Sequence, residues 1–359
     1  MSTQRTLKLG IIGAGNIAGP YLRDLPHYPE LEVLGIADIL PERAAAVAAQ
    51  YGIHAYPSVE ALLADPAVEL AVNLTVHHAH TAVTTACLNA GKHVHSEKPL
   101  AMRYADAAAL VALARERGLR LACSPFTLMG EAQQTAWKWV RDGKLGRVRV
   151  AYADVNWGRI EAWHPDPQAF YEVGPLFDVG VYPLSILTAM FGPARRVSAY
   201  GTVLWPERET KQGVRFGVAQ PDFVVAAIEL ADGVLVRLTT DFYVGNKSTR
   251  QVGIELHGDQ GSLHLESWHM FNAKVAFAPF DQPLAEVPLV REPPYGTPWG
   301  QGLLETATAL FAGRPHRFTG EMAAHTVEIL EATAEAARSG RTVAIHSDFP
   351  RPAPLEWAL

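Results

Sequence analysis

The sequence predicts an α/β protein with two domains: the first contains a doubly wound parallel sheet, the second a large, mainly antiparallel open sheet. In the first third, strand-like and helix-like segments alternate at short intervals, which is typical of a parallel sheet with crossover helices. Beyond Ser124-Pro125 strand-like segments dominate, and hairpin turns separate some of them. The 359 residues are enough for two hydrophobic cores. We therefore expect domains over residues 1–123 and 124–359.

The first domain combines apolar runs with helix start and stop signals. Proline in the first turn opens one alanine-rich helix, and glycines close others. The predicted strands are Leu7–Gly13, Leu31–Asp38, Glu69–Leu74, Lys92–His95 and Arg120–Cys123. The predicted helices are Ile17–Leu25, Pro41–Gln50, His80–Ala90 and Asp106–Arg117.

The second domain is rich in short strands, and two Asp-Gly or Gly-rich turns predict hairpins at 231–233 and 258–261. Its predicted strands are Val148–Trp157, Arg195–Leu204, Phe223–Glu229, Val234–Tyr243, Gly253–His257, Ser262–Glu266 and Lys274–Phe277. Its predicted helices are Glu131–Asp142, Asp178–Phe191, Gly302–Ala312 and Gly320–Arg338. Residues 205–222 and 279–300 are expected to be long loops or insertions. The exposed sheet face suggests a homodimer or homotetramer.

Composition excludes several classes of protein. The chain is 48% hydrophobic and 19% charged, with a formal net charge of −6, which argues against disorder and against a nucleic-acid partner. No run approaches the ~18 uninterrupted apolar residues of a membrane span. Because a strand-like run already begins at Leu7, we expect no signal peptide before it. Cys87 and Cys123 are too few for a metal cage or a disulfide framework. We expect a cytoplasmic enzyme with no membrane partner.

A glycine-rich turn between the first strand and the first helix predicts dinucleotide binding. Residues 13–18 read GAGNIA and fit G-x-G-x-x-A, the fingerprint of the Rossmann fold. Gly13 permits the tight turn, Gly15 lets the backbone approach a pyrophosphate, and Ala18 lets helix and strand pack closely. A plain strand–helix turn is the alternative, but the complete context of the motif disfavours it.

Asp38 bears on the choice of cofactor. It ends the second strand, 20 residues beyond Ala18, where a carboxylate accepts hydrogen bonds from ribose hydroxyls. It would repel a 2′-phosphate, and its neighbours Ile39 and Leu40 supply no cation. Arg43, one turn further on, could soften that repulsion. The sequence therefore predicts NAD, with NADP disfavoured.

Lys98 leaves a buried strand at the edge of the sheet where doubly wound folds bind ligands. Residues 93–99 read HVHSEKP, and Pro99 keeps Lys98 out of helical geometry. An exposed ion pair between Glu97 and Lys98 is the alternative, which the position after a nucleotide-domain strand disfavours.

Together these motifs resemble the Gfo/Idh/MocA family of oxidoreductases along essentially the whole chain. The segments that carry the resemblance are GAGNIA, AGKHVHSEKPLA at 90–101, GKLGRV at 143–148, DVGVY at 178–182 and IELHGDQGSL at 254–263. Tyr182 occupies the last place of D-x-G-x-[HY], as in the glucose–fructose oxidoreductase and dihydrodiol dehydrogenase branches. The resemblance implies the following cofactor-binding residues: Gly13, Gly15, Asn16, Ile17, Ala18, Asp38, Ile39, Arg43, Thr75, His77, His80, Glu97 and Lys98.

The resemblance also implies a hydride transfer between nicotinamide and a sugar, a polyol or a related hydroxyl or carbonyl compound. Such a reaction needs a group that exchanges the hydroxyl proton and a cation that steadies the alkoxide, and Tyr182 and Lys98 suit these roles. Asp178 would orient Lys98 or bind a substrate hydroxyl. On one predicted helix Asp178 and Tyr182 would share a face, about 6 Å apart at Cβ. Trp163 and His164 are the expected substrate-binding residues.

The sequence also raises three other interpretations: a metal site, a non-catalytic regulator and a glycosidase. His77, His78 and His80 lie close in sequence, but no carboxylate or cysteine accompanies them at ligand spacing, so we expect no metal. A non-catalytic NAD(H)-sensing regulator could dispense with Lys98 and Tyr182, so the presence of both residues argues against this interpretation. An NAD-dependent glycosidase that oxidises its sugar transiently remains an alternative.

Overall fold

The computed structural model describes residues 5–245, 247, 251–293 and 295–359. They form two compact units: one runs up to Phe126 and includes Pro298–Val327, and the other comprises Thr127–Thr297 and Glu328–Leu359. The first unit contains a six-stranded sheet and the second a nine-stranded sheet, which confirms the predicted fold class.

The first unit has the strand order β3-β2-β1-β4-β5-β6, with every neighbouring pair parallel. This order, running outward in both directions from the centre, is that of a doubly wound dinucleotide-binding sheet. The strands are β1 (Leu7–Ile12), β2 (Leu31–Ala37), β3 (His54–Ala55), β4 (Leu70–Asn73), β5 (His93–Ser96) and β6 (Leu121–Cys123). The helices between them are α1 (Ala18–Asp24), α2 (Pro41–Tyr51), α3 (Val59–Ala64), α4 (His80–Asn89) and α5 (Tyr104–Glu116).

Strand β3 and helix α3 were not predicted from the sequence. The strand has only two residues, too few for a periodic pattern, and its place depends on pairing with β2. Helix α3 has six residues, and its N-terminus is capped by the Ser58 side chain, which accepts a hydrogen bond from the Ala61 N–H at 3.2 Å. Both are short elements that tertiary contacts stabilise.

Residues 298–327 belong to the first unit, whereas the prediction placed all of 124–359 in the second domain. The buried carboxylate of Asp24 accepts a hydrogen bond from the Gly300 N–H at 2.6 Å. Further along, the Cys123 N–H donates to the Phe318 carbonyl at 3.1 Å, which extends the edge of the sheet. These long-range contacts bring a segment late in the sequence back to the first core. The segment includes α9 (Gln301–Phe311) and the start of α10 (Gly320–Ser339).

The second unit contains a mixed sheet of order β16-β15-β14-β13-β7-β12-β11-β8-β17. Only β7 and β12 pair in parallel among the described strands of this sheet, and the other pairs are antiparallel. The strands are β7 (Val148–Asn156), β8 (Ala194–Thr202), β11 (Phe223–Leu230), β12 (Leu235–Asp241), β13 (Val252–Gly258), β14 (Gly261–Leu265), β15 (Val275–Pro279), β16 (Ala285–Val287) and β17 (Val343–Ala344).

The two segments predicted as loops contain short strands. Residues 205–222 include the antiparallel pair β9 (Glu207–Glu209) and β10 (Arg215–Gly217), and residues 279–300 include β16. Strand β17 was also not predicted. All four strands have two or three residues, so their pattern is too short to recognise, and their pairing partners define them.

The predicted helix Asp178–Phe191 is wrong at its start, because the structure has two helices there: α7 (Gln168–Asp178) and α8 (Val181–Phe191). Gly174 interrupts α7 with φ 76° and ψ 160°, a conformation that favours glycine. The N–H groups of Val179 and Gly180 then both donate to the Pro175 carbonyl, which ends α7. Asp178 therefore lies at the end of one helix and Tyr182 in the first turn of the next, so they do not share a continuous helical face.

The stretch 168–191 is long and apolar enough to pass as a membrane span, although Glu172 and Asp178 interrupt its apolar run, and 78% of its most apolar window is buried inside the protein. The break at Gly174 and the turn between α7 and α8 also interrupt it. These are properties of core helices.

Helix α6 (Glu131–Arg141) is amphipathic and packs on β14 and β15.

His95, on β5, is fully buried in the first unit, and its Nε2 lies 3.3 Å from the Ser124 hydroxyl. Burial lowers the pKa of His95 to about 4, against the opposing effect of the Glu97 charge. In the unfolded chain a histidine pKa is about 6.5. Below that pH the unfolded chain takes up a proton that the folded chain refuses, so the free energy of unfolding falls as the pH drops from 6.5 towards 4.

We predict that His95→Phe removes this acid sensitivity. Urea unfolding at about pH 7.5 and about pH 5 should show the wild-type protein losing about 2 kcal/mol more stability than the variant between the two pH values. The comparison across pH cancels any general cost of the substitution. An equal loss in both proteins would contradict the neutral, buried state of His95.

Candidate active site

The glycine-rich turn after β1 has the geometry that its motif predicts. Gly13 has φ 106°, and a Cβ there would lie 2.7 Å from the Leu74 carbonyl carbon and oxygen, so a side chain is excluded. Gly15 is exposed, and a Cβ there would meet no atom within 4 Å. The second glycine therefore presents backbone to open space, as a pyrophosphate-binding turn requires. Ala18 is buried and begins α1, Ile17 precedes it, and Asn16 is exposed.

Asp38 is connected to this turn directly. Its Oδ2 accepts a hydrogen bond from the Ala14 N–H at 2.7 Å, and its Oδ1 accepts one from the Leu40 N–H at 2.9 Å. Ile39 is 90% exposed beside it, and Arg43 is exposed on the first turn of α2. The carboxylate thus stabilises the glycine turn and also supplies the negative charge that the cofactor prediction requires.

Thr75 and His80 form a second cluster in the first unit, after β4. The Thr75 hydroxyl donates to the Asn73 Oδ1 at 2.6 Å. His80 is buried, with its Nε2 3.0 Å from the Thr75 carbonyl and its Nδ1 2.6 Å from the Pro99 carbonyl. Burial lowers the pKa of His80, outweighing the two carbonyls, which raise it. The His80 ring connects the loop after β4 to the residue that follows Lys98.

Glu97 and Lys98 follow β5, as predicted, and the Lys98–Pro99 peptide bond is cis. Glu97 is buried: its Oε1 accepts from the Tyr21 hydroxyl at 2.7 Å and the Ser124 hydroxyl at 3.1 Å. Its Oε2 accepts from the Lys98 N–H at 3.1 Å. The side chain of Glu97 is therefore directed inward to support the loop, while Lys98 is only half-buried.

His77 and His78 lie on a short 3-10 turn before α4, with their rings 4.0 Å apart. His77 is half-buried and His78 exposed. Within the described part of the chain, no group of three or more histidine, cysteine, aspartate or glutamate side chains could hold a metal ion.

In the second unit, Tyr182 belongs to an aromatic cluster. Its ring packs on Trp268 with centroids 4.7 Å apart and an interplanar angle of 33°. Trp268 is fully buried and also contacts Trp157 and His269, at centroid distances of 5.5 and 4.7 Å. Burial lowers the pKa of His269 to about 4, so its imidazole is neutral at pH 7. Asp178 is half-buried at the end of α7.

Trp268 and His269 were not identified from the sequence. They lie between β14 and β15, about 85 residues after Tyr182, in a segment without a motif. An apolar strand followed by Trp-His was a weak signal, because tryptophan is more often a packing residue. Tertiary folding brings these residues to Tyr182.

The two predicted substrate-binding residues, Trp163 and His164, form a separate aromatic group with Phe170 on α7. Their rings lie 5.9 and 4.8 Å from the Phe170 ring, and Trp163 is 49% exposed. The His164 Nδ1 is 2.6 Å from the Asp166 carbonyl. This group offers an accessible aromatic surface, and Phe170 packs against both of its rings.

Comparison with known proteins agrees with this geometry. The domain family described as "Oxidoreductase family, NAD-binding Rossmann fold" matches residues 7–124, and the GFO/IDH/MocA C-terminal domain matches residues 133–264. The chain is 34% identical over 271 residues to a dTDP-3,4-didehydro-2,6-dideoxy-alpha-D-glucose 3-reductase of Streptomyces violaceoruber, covering 74% of each chain. It is 30% identical over 261 residues to a 1,5-anhydro-D-fructose reductase of Ensifer adhaerens, covering 71% of this chain and 74% of the relative.

A solved NAD binding oxidoreductase from Klebsiella pneumoniae has the same fold, with a TM-score of 0.82 at 20% identity over 96% of this chain and 100% of that one. The family matches cover both units, and they coincide with the glycine turn, Asp38 and the segment that holds Lys98. From this agreement we conclude that the chain belongs to the Gfo/Idh/MocA family of oxidoreductases and that its first domain is an NAD-binding Rossmann domain.

Proposed function

We propose that this protein is an NAD-dependent dehydrogenase or reductase that interconverts a hydroxyl and a carbonyl group on a sugar or polyol. The single observation that carries the proposal is the packing of Tyr182 on Trp268. It fixes the position of a phenol, which can exchange protons, in a cluster that includes the half-buried Trp157 ring, an aromatic surface of the kind that packs against the C–H surface of a sugar ring. The relatives named as reductases of a deoxyglucose derivative and of anhydrofructose support the same substrate class.

The residues that would hold the dinucleotide lie in the first unit. The turn at Gly13 and Gly15 would face the pyrophosphate, and Asp38 would accept hydrogen bonds from the adenosine ribose. Thr75 and His77 would line the nicotinamide side, with His80 holding the loop in place. When bound, the nicotinamide supplies the hydride acceptor or donor.

Lys98 and Tyr182 would act on the reacting oxygen. The Lys98 ammonium would stabilise the negative charge that develops there, as a preorganised cation does in a site of low dielectric. The Tyr182 hydroxyl would take up or deliver the hydroxyl proton. Asp178 would bind a neighbouring substrate hydroxyl or orient Lys98. Trp163 and His164 would provide further contacts to the ring.

The cytoplasmic location stays a prediction.

We also propose a homodimer or homotetramer formed through the open face of the sheet. On this face the Arg237 guanidinium lies 4.2 Å over the Tyr152 ring and pairs with Asp154, and Leu235 and Tyr200 remain 48% and 65% exposed. Light scattering should give a multiple of the 39.0 kDa chain mass, and a monomer would contradict the proposal.

We predict a preference for NADH over NADPH. Like-charge repulsion between Asp38 and a 2′-phosphate should weaken NADPH binding by about tenfold, equal to ~1.4 kcal/mol. Fluorescence titration of Asp38→Ser should show this ratio reduced, although the loss of the Ala14 hydrogen bond will weaken both cofactors. Arg43→Ala removes a cation near Asp38 and should enlarge the preference for NADH. Tighter NADPH binding by the wild-type protein would mean that Arg43 or another cation overrides the carboxylate.

We predict that Lys98→Met abolishes turnover and leaves dinucleotide binding largely intact. Loss of one preorganised charge at the reacting oxygen should raise the barrier by several kcal/mol, roughly 3. Single-turnover kinetics and an NADH titration measure the two effects separately. Near-normal turnover would show that Lys98 is structural.

We predict that Tyr182→Phe lowers the rate by about 10²–10⁴ with little change in folding, because the ring keeps its packing on Trp268 and only the hydroxyl is lost. The residual activity should lose the limb of the pH profile that reports the phenol. Tyr200→Phe, which removes a hydroxyl from an exposed ring on β8, is the matched control and should have the wild-type rate. A full rate for Tyr182→Phe together with loss of activity in His164→Ala would identify His164 as the acid instead.

A further inference from the structure

A cavity lies in the second unit, beside the β9–β10 hairpin that occupies a segment predicted as a loop. Its volume is about 470 Å³, within the range of about 300–1,000 Å³ that is usual for ligand pockets. Its lining includes Arg159, Glu161, Trp205, Glu207, Arg208 and Arg215. None of these residues belongs to the site described above, and no role in the reaction accounts for them.

The wall of this cavity is held rigidly by Arg208. The guanidinium is buried, donates to the Glu161 Oε1 at 2.9 Å and to the Asp222 carboxylate, and lies 4.6 Å over the Tyr171 ring. The Tyr171 hydroxyl donates to the other oxygen of Glu161. A charged group buried with two carboxylates in this way keeps its place only while the pairs are intact. The hairpin is therefore a preorganised wall.

The accessible part of the cavity combines an aromatic surface with a cation. Trp205 is 42% exposed, and the Arg159 guanidinium lies 4.7 Å from its ring centre. The same guanidinium lies 4.8 Å from the ring of Tyr243, which is 38% exposed. The Arg208 guanidinium also lies 5.4 Å from the Trp205 ring centre, so guanidinium groups cover part of this ring and its exposed remainder is the surface that a ligand ring can contact. Tyr243 stands outside the cavity lining, and Arg159 is placed to donate hydrogen bonds beside Trp205.

The charges of the cavity favour a neutral, polyhydroxylated ligand over a phosphate. Its three arginines are balanced by three glutamates: Glu161, Glu207 and Glu209. Arg208 is already paired with Glu161, and Arg215 lies 3.5 Å from Glu209. A phosphate would need unbalanced positive charge, whereas sugar hydroxyls both donate to carboxylates and accept from guanidinium groups.

The chain connects the cavity lining directly to the aromatic cluster that contains Tyr182. Trp157 belongs to that cluster, and Arg159 follows it by two residues, a span of at most about 7 Å. The Trp157 N–H donates to the Asp241 carbonyl at 3.0 Å, and Tyr243 lies two residues beyond Asp241. Trp157 and Arg159 therefore follow the C-terminal end of β7, and Tyr243 follows the C-terminal end of β12, its parallel neighbour.

We propose that this cavity is a subsite for a second sugar ring, so that the substrate is a disaccharide or other glycoside whose reacting ring lies at Tyr182. The proposal rests on the proposed function. Trp205 packs against the second ring, and Arg159 and Glu207 bind its hydroxyls. A monosaccharide leaves the subsite empty.

The test compares sugar binding to the NADH-loaded protein by calorimetry, using glucose and galactose against maltose, cellobiose and lactose. At least one disaccharide should bind about tenfold more tightly than its monosaccharide. In Trp205→Ala and Arg159→Met that advantage should fall to within about threefold, with monosaccharide binding unchanged. Phe280→Ala, which removes a 79% exposed ring outside the cavity lining, is the matched control and should change nothing.

Three results would overturn the proposal: no disaccharide binds more tightly than its monosaccharide, both variants weaken the two classes equally, or both variants keep the full disaccharide advantage. Hydride transfer is followed separately by NADH absorbance. If disaccharide binding responds to Trp205→Ala while no sugar is oxidised or reduced, the subsite stands as a sugar-binding site and the proposed function fails.

Discussion

Glu97 places a carboxyl group inside the first unit, where donors from three parts of the chain meet it. The Tyr21 hydroxyl comes from α1, the Ser124 hydroxyl from the end of β6, and the Lys98 N–H from the loop itself. A buried carboxyl group without such partners would be strongly destabilising, so these three elements are held in one arrangement. The course of the chain at Lys98 depends on this arrangement.

The neighbouring contacts extend the same constraint to the rest of the first unit. His80 bridges the Thr75 and Pro99 carbonyls, so the loops after β4 and β5 are held together. Asp38 holds the glycine turn by its bond to the Ala14 N–H. The predicted cofactor-binding residues are thus supported by buried or half-buried polar contacts that fix their backbone.

In the second unit the deciding feature is a backbone break. The turn after Asp178 divides the predicted helix and places Asp178 and Tyr182 on different helices, while Gly174 interrupts α7 before Asp178. The pattern could not reveal this, because apolar periodicity continues through the break. The D-x-G-x-Y motif was identified correctly as a segment, but the relation between its two side chains was not.

The sequence alone determined the features that depend on local pattern: the two sheet types, five of the strands and four of the helices in the first domain, the glycine turn with Asp38 at the end of β2, and the position of Lys98 after β5. Each is encoded within a few neighbouring residues by apolar periodicity or by a turn that only glycine or proline allows. Only the tertiary structure decided that residues 298–327 join the first unit, that Trp157 and Trp268 meet beside Tyr182, and that residues 205–217 form a hairpin around a cavity. These features depend on contacts between residues far apart in the chain, such as Asp24 with Gly300 and Arg208 with Glu161, and no local pattern specifies which distant partner a side chain will meet.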